Sequence, residues 1–283
     1  MELAVISGKG GTGKTTIALA LSELAKGAVK ADCDVDAPNL YLFYGGKDLK
    51  QESFSGEKEA VVAKEFCKEC GECQKVCQFE AIKNGLVNAL QCEGCGACTL
   101  VCPQKAISLK DVKSADVYIT ETAKGVISRA QMEIGGEGSG KLITLLRSNA
   151  REYAGEDTLI IIDGSPGIGC PVISSITGCD AALIVTEPTQ SGLEDFKRVT
   201  ELCRHFGVLT FACINKYDIN EKKTKEIEKY CRDNEICLIG KIPYDNVVMQ
   251  SINELVPVIC YEESKANQAI RQMWDQLSAQ INF

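Results

Sequence analysis

The sequence predicts an α/β fold, a mostly parallel sheet with helices on both faces, into which a small α+β module is inserted. Three observations carry this. Near-continuous apolar runs alternate with helical stretches; the chain opens as strand, glycine loop, helix, strand; and eight of the sixteen cysteines fall between residues 64 and 110. Apolar runs with little alternation are what strands buried on both faces of a parallel sheet require.

Residues 2–7 read as a first strand, 14–26 (KTTIALALSELAK) as a helix, and 28–33 as a second strand leading into Asp32, Asp34 and Asp36. After residue 115 the alternation resumes, with strand runs at 158–163 (TLIIID), 181–186 (AALIVT), 208–215 (VLTFACIN) and 236–242 (ICLIGKI). The segment 45–63 is polar and charged and reads as a linker. The expected organisation is therefore one α/β domain in two parts, 1–44 and 111–283, with the linker 45–63 and a cysteine module 64–110 between them.

With 31 Lys and Arg against 39 Asp and Glu, the formal charge is −8, and no basic run is long enough to follow a phosphate backbone. Nucleic acid is not an expected ligand. The apolar start is about six residues long and runs into glycines, too short for a signal segment or a membrane span, so a cytoplasmic protein without membrane insertion is expected. In that compartment sixteen cysteines point to metal or redox chemistry rather than to disulfides.

Gly8, Lys9, Gly10, Gly11, Thr12, Gly13, Lys14 and Thr15 fit G-x-x-x-x-G-K-[ST] between a strand and a helix. Backbone N–H groups of such a loop, together with the positive end of the helix dipole, hold phosphate. Lys14 would reach the β- and γ-phosphates of ATP, and Thr15 would ligand Mg²⁺. The same glycines satisfy a dinucleotide fingerprint, but that motif has no use for the Lys-Thr pair.

The segment KGGTGKTT is similar to the deviant phosphate-loop motif of the MinD/ParA/Mrp family of P-loop ATPases, which includes the nitrogenase iron protein. The resemblance implies a homodimer in which Lys9 crosses to the partner's nucleotide and neutralises charge at the γ-phosphate. Asp32-Cys33-Asp34-Val35-Asp36-Ala37-Pro38-Asn39 resembles the family's switch I, with Asp34 orienting the attacking water. Asp163-Gly164-Ser165-Pro166-Gly167 resembles its Walker B and switch II, with Asp163 holding Mg²⁺ through water. Asn215-Lys216 and Pro243-Tyr244-Asp245 resemble the adenine-binding elements, Asn215 pairing with the base edge and Pro243 to Asp245 flanking it. Thr16 and Gly167 complete the implied nucleotide contacts.

The module repeats internally. Cys67, Cys70, Cys73, Cys77, Ala81 and Ile82 recur 25 residues later as Cys92, Cys95, Cys98, Cys102, Ala106 and Ile107. C-x-x-C-x-x-C-x-x-x-C twice resembles bacterial ferredoxins, which implies two [4Fe–4S] clusters with the fourth cysteine of each run exchanged. Cys67, Cys70, Cys73 and Cys102 would hold one, and Cys92, Cys95, Cys98 and Cys77 the other. Gln78 follows Cys77 where proline is usual, whereas Pro103 follows Cys102.

The remaining candidates are blander. Cys170, seven residues after Asp163, lacks a companion cysteine for an interface cluster and reads as a buried thiol, as do Cys33, Cys179, Cys203, Cys213, Cys231, Cys237 and Cys260. The glycine-rich loop 135–140 is either a mobile connection or a helix-capping loop. Ile270, Met273, Trp274, Leu277 and Ile281 share a helical face without a basic counterpart, so core packing is expected rather than membrane targeting. His205 falls late in a helix, as a capping or surface residue. Together these readings predict an ATPase that couples nucleotide state to electron transfer, with an unknown redox protein or iron–sulfur acceptor as partner. The alternatives are an iron–sulfur cluster carrier and a positioning ATPase.

Overall fold

The computed structural model describes residues 1–136 and 138–281. β1 (Glu2–Ser7) leads through the glycine loop into α1 (Lys14–Leu24), and β2 (Val29–Asp32) follows. Next come β3 (Gly46–Phe54), β4 (Glu57–Val62), α2 (Glu72–Val76), the short strands β5 (Ile82–Lys83) and β6 (Leu86–Val87), α3 (Ala97–Val101), β7 (Ile107–Val112), β8 (Ala115–Thr122) and β9 (Gly125–Met132). The rest alternates as α4 (Gly140–Glu152), β10 (Ile160–Pro166), α5 (Cys170–Ile176), β11 (Ala181–Thr186), α6 (Gln190–His205), β12 (Leu209–Asn215), α7 (Glu221–Asp233), β13 (Cys237–Ile242), α8 (Asn246–Glu254) and α9 (Lys265–Ile281).

The main sheet has the strand order β13-β12-β11-β1-β10-β2-β9-β8-β3. From β13 to β9 every pairing is parallel. β1, β2 and β11 are buried throughout and β10 is buried up to its last residue, so the site loops spring from the core of the sheet. On one face Leu3 and Val5 of β1 pack with Ile17 and Leu21 of α1 and with Ile270, Met273 and Leu277 of α9. Each such side chain contributes roughly 1.5–3 kcal/mol by leaving water. The apolar stripe of α9 is thus core, as expected, and Trp274 packs half-buried at its edge.

Two sequence expectations are corrected here. Residues 45–63 are not a linker: they form β3, the outermost strand of the main sheet, and β4, which pairs antiparallel with β7 from Glu57↔Val112 to Val62↔Ile107. β3 is almost wholly exposed. An edge strand is held by backbone hydrogen bonds and can carry polar side chains, so its composition looks like that of a linker. Second, β8 and β9 add two strands to those the sequence predicts. They are joined by a tight turn in which Thr122 Oγ accepts from Lys124 N and donates to Gly125 O. Arg129 stacks between the rings of Tyr41 and Tyr118 and pairs with Asp48.

The chain divides into two compact units. The larger contains Met1–Gln51, Val117–Gln131 and the chain from Gly138 onward. The smaller contains Glu52–Asp116 and the stretch beginning at Met132, with its own small core of Ala60, Ile82, Cys98 and Ile107. Ser139, at the end of the glycine-rich loop, caps α4 by accepting from Leu142 N, as the helix-capping alternative expects. Glu137 of that loop lies outside the described residues. Among the described residues no helix is long and apolar enough to cross a membrane.

Candidate nucleotide and cysteine sites

The glycine loop sits at the C-terminal end of β1, where a doubly wound sheet opens its crevice. Gly13 caps α1 at φ 92°, and no side chain caps that helix, so its first N–H groups stay available to an anion. Gly8 is required sterically: a Cβ there would stand 2.3 Å from Cβ of Asp195 on α6. Gly10 and Gly11 lie at the exposed tip, and Thr12 is buried.

Lys14 points into a group of carboxylates, Asp163 within β10, Asp32 at the end of β2 and Asp34 just beyond it. Its Nζ donates to Asp34 Oδ2 at 2.9 Å and lies 3.9 Å from Asp163 Oδ1. Asp163 and Asp32 face one another in strand register. Asp163 is 0% exposed, and neither of its oxygens accepts a well-formed hydrogen bond. Burial pushes its pKa up to about 6, against the pull of the Lys14 ammonium and the Thr15 hydroxyl, with Asp34 adding to the rise. Asp32, equally buried, is pushed well above the ordinary range by burial and by Asp163, while Leu40 N donating to Oδ2 opposes this. Three carboxylates around one ammonium leave an excess of negative charge that a divalent cation would relieve. Thr15, in the first turn of α1, and Asp163 therefore have the donor chemistry that Mg²⁺ takes.

The two segments read as switches are tied together: Ser165 Oγ donates to Cys33 O at 2.7 Å and Cys33 N to Asp163 O at 2.9 Å. Gly167 N anchors the second to Ser7 O at 2.8 Å, and Gly138 N donates to Asp36 Oδ1 of the first at 3.2 Å. Gly167 takes φ 100°, a conformation other residues rarely adopt. Lys9 turns back on its own chain: Nζ lies 2.5 Å from Glu187 Oε1 and donates to Thr189 Oγ1 and Ser191 Oγ.

Beside the loop lies an apolar cavity of about 220 Å³ whose walls include Ile17, Ile242, Pro243, Tyr244, Val248 and Met249. Its size and lining suit a nucleobase. Thr16 and Asn215 also border it. Asn215 is occupied with backbone: Nδ2 donates to Thr12 O at 2.8 Å and Oδ1 accepts from Lys216 N at 3.0 Å. Asp245 is the N-cap of α8, accepting from Val247 N, Ser264 Oγ and Ala266 N. Glu187 belongs to no motif that would single it out in the sequence, although it closes the strand run of β11; it pairs with Lys9 and, at 3.6 Å, with Lys216.

In the smaller unit the sequence repeat is a backbone repeat. Gly71 (φ 78°, ψ −1°) and Gly96 (φ 78°, ψ −2°) start α2 and α3, and Cys77 (φ −73°, ψ 107°) and Cys102 (φ −74°, ψ 109°) end them. Glu80 and Lys105 both take φ 52°. Gln78 in place of proline thus leaves the backbone at Cys77 the same as at Cys102. Cys67, Cys70, Cys73 and Cys102 line one cavity, and Cys77, Cys92, Cys95 and Cys98 line another. These cysteines are free thiols. Ala81 N donates to Cys77 Sγ, Ala106 N to Cys102 Sγ, and Ala60 N to Cys92 Sγ. Among the described residues no three His, Cys, Asp or Glu side chains come together as one metal ion would require. Four thiols spread around each cavity, with a backbone N–H on one sulfur of the first and on two of the second, have the donor chemistry of an iron–sulfur cage.

Of the other cysteines, Cys33, Cys179, Cys203, Cys213 and Cys231 are buried as expected. Cys170, Cys237 and Cys260 are exposed and correct that expectation: Cys170 and Cys237 occupy the first positions of α5 and β13, where packing has not yet closed over the chain.

Strand–glycine loop–helix with Lys14, Thr15 and the buried Asp163 of β10, on a mostly parallel sheet covered by helices, defines a P-loop nucleoside-triphosphate-binding protein. The chain belongs to the family carrying the CobQ/CobB/MinD/ParA nucleotide binding domain, whose model matches residues 3–258. It is 36% identical over 281 residues to an uncharacterized protein of Methanocaldococcus jannaschii, covering 98% of this chain and 96% of that one. It is 24% identical to an iron-sulfur cluster carrier protein of Pyrococcus horikoshii, covering 98% of this chain and 85% of the carrier. In fold it is similar to the septum site-determining protein MinD of Pyrococcus horikoshii OT3, solved with Mg-ADP, at TM-score 0.60 and 19% identity, covering 98% of this chain and 95% of that one.

Proposed function

We propose that this chain is a Mg²⁺-dependent ATPase that works as a homodimer in the cytoplasm and couples its nucleotide state to electron transfer through two [4Fe–4S] clusters. The observation that carries the reading is the division of eight free cysteines into two four-cysteine cavities, in one chain with a P-loop. A cluster, when bound, supplies one-electron storage. The protein's own part is to hold it with Cys67, Cys70, Cys73 and Cys102 in one cavity, and with Cys77, Cys92, Cys95 and Cys98 in the other.

At the nucleotide site Lys14 would exchange Asp34 for the terminal phosphates, which frees the Asp34 carboxylate to orient the attacking water. Asp163 and Thr15 would hold Mg²⁺. Lys9 would leave Glu187 and reach the nucleotide of the partner, so the trans charge arrives only in the dimer. Pro243 and Tyr244 would flank the base, Asp245 fixing their loop through the cap of α8. The partner beyond the homodimer is a redox protein or an iron–sulfur acceptor.

A second reading, an iron–sulfur cluster carrier, is favoured by the relative of that name. The four cysteines that line each cavity weigh against it, because full thiolate ligation would hold a cluster too firmly for a cargo. Iron and sulfide analysis of anaerobically purified protein tests the proposal: about eight of each per chain are expected from two cubanes. A content near four, or zinc in place of iron, sinks the two-cluster reading.

A further inference from the structure

We propose that Asn215 and Lys216, at the end of β12, are positioning residues that set the phosphate loop before any nucleotide arrives. The proposal rests on the nucleotide-binding reading above. In a trans peptide the carbonyl and the following N–H point in opposite directions. Asn215 Nδ2 holds the Thr12 carbonyl at 2.8 Å, which turns the Gly13 N–H to the other side of the loop. Lys216 Nζ, 3.5 Å from the Gly11 carbonyl, biases the Thr12 N–H in the same way. Two successive N–H groups are thereby aimed together, the arrangement that binds an anion.

The pair is built for this. Lys216 adopts the left-handed conformation, φ 53° and ψ 40°, rare for a residue with a side chain, and its own N–H donates to Asn215 Oδ1 at 3.0 Å. That bond fixes the amide so that Nδ2 faces the loop. The loop is shaped to receive it: a Cβ on Gly13 would meet Asn215 Nδ2 at 2.4 Å. Glu187, 3.6 Å from Lys216, steadies the lysine from the far side. The Asn215 amide is thus directed at backbone, and its contribution falls on the triphosphate rather than on the base.

The test compares binding of Mg-ATP, Mg-GTP and Mg-tripolyphosphate, which has no base, to the full-length anaerobic protein by calorimetry. Asn215→Ala should weaken all three by one common factor of about three- to tenfold, the worth of one net hydrogen bond. Lys216→Met, which keeps the stem and removes the charge, should also weaken all three alike and serves if Asn215→Ala does not fold. Loss of Mg-ATP binding with tripolyphosphate unchanged would make Asn215 a base reader and overturn the proposal, as would no change in any ligand. Failure of the parent protein to bind any of the three would instead overturn the nucleotide-binding reading itself, and the proposal with it.

Discussion

Asp163→Asn should stabilise the nucleotide-free protein while abolishing its turnover. The parent carboxylate is fully buried and has no well-formed hydrogen bond, and burial pushes its pKa up from the ordinary 3.8 to about 6, against the pull of Lys14 at 3.9 Å. At about 1.4 kcal/mol for each tenfold in the proton equilibrium, keeping it ionised in the folded state costs about 3 kcal/mol at neutral pH. The sign follows from proton linkage. Because the folded-state pKa is raised, the folded state holds the proton longer than the unfolded chain, and stability is lost as pH rises from about 4 through about 6. At pH 5 only about half the penalty is present. The amide that replaces the carboxylate in the Asp163→Asn variant carries no such charge, so the gain over the parent should be about 2–3 kcal/mol at pH 7.5 and visibly smaller at pH 5. Urea unfolding without nucleotide, followed through the single tryptophan, Trp274 on α9, reports on the larger unit alone. A variant no more stable than the parent at pH 7.5, or a gain independent of pH, would refute the picture of Asp163 as a buried charge that Lys14 compensates only in part.

Lys9→Ala and Asp34→Ala should both lose hydrolysis by about a hundredfold or more but differ in assembly. Sedimentation with Mg-ATP should find the Asp34→Ala protein as a nucleotide-bound dimer and the Lys9→Ala protein largely monomeric; normal dimerisation of the latter would end the trans-lysine role. Cys95→Ala should remove one cluster, seen as iron falling from about eight toward four per chain, with Mg-ATP affinity preserved. Leu277→Ala, which opens a hole where α9 meets α1 and β1, should cost about 2–5 kcal/mol in the same urea assay and leave iron content unchanged.

Much of this architecture is legible in the sequence because a parallel sheet buried on both faces writes itself as uninterrupted apolar runs. AALIVT forms β11 over the same six residues, Ala181–Thr186, all buried. β3 is illegible for the opposite reason, since an edge strand of GKDLKQESF buries nothing and its pairing resides in the backbone. β8 and β9 have clearer strand composition but lie between two stronger patterns, the cysteine repeat and the glycine-rich loop. At the candidate site, motif spacing singles out Gly8, Lys14 and Thr15 on the loop between β1 and α1, while Asp34 and Asp163 are legible only through the resemblance to the MinD/ParA/Mrp family; the fold brings both carboxylates to Lys14. What spacing cannot show is which partner a side chain holds without ligand. Lys9 rests on Glu187, and the Asn215 amide is turned to the phosphate loop; both depend on the meeting of β11 and β12 with a loop some two hundred residues earlier.

The central claim is that nucleotide state and redox state are coupled. The measurement that bears on it most directly is the midpoint potential of the clusters, taken by anaerobic redox titration of the parent protein without nucleotide, with Mg-ADP and with Mg-ATP. A tenfold change in a one-electron equilibrium is about 59 mV. The account predicts a shift of about that size or more between the Mg-ADP and Mg-ATP forms, and loss of the shift in Lys9→Ala, where the dimer does not close. Identical potentials in all three states, in a protein that carries both clusters and hydrolyses ATP, would contradict it.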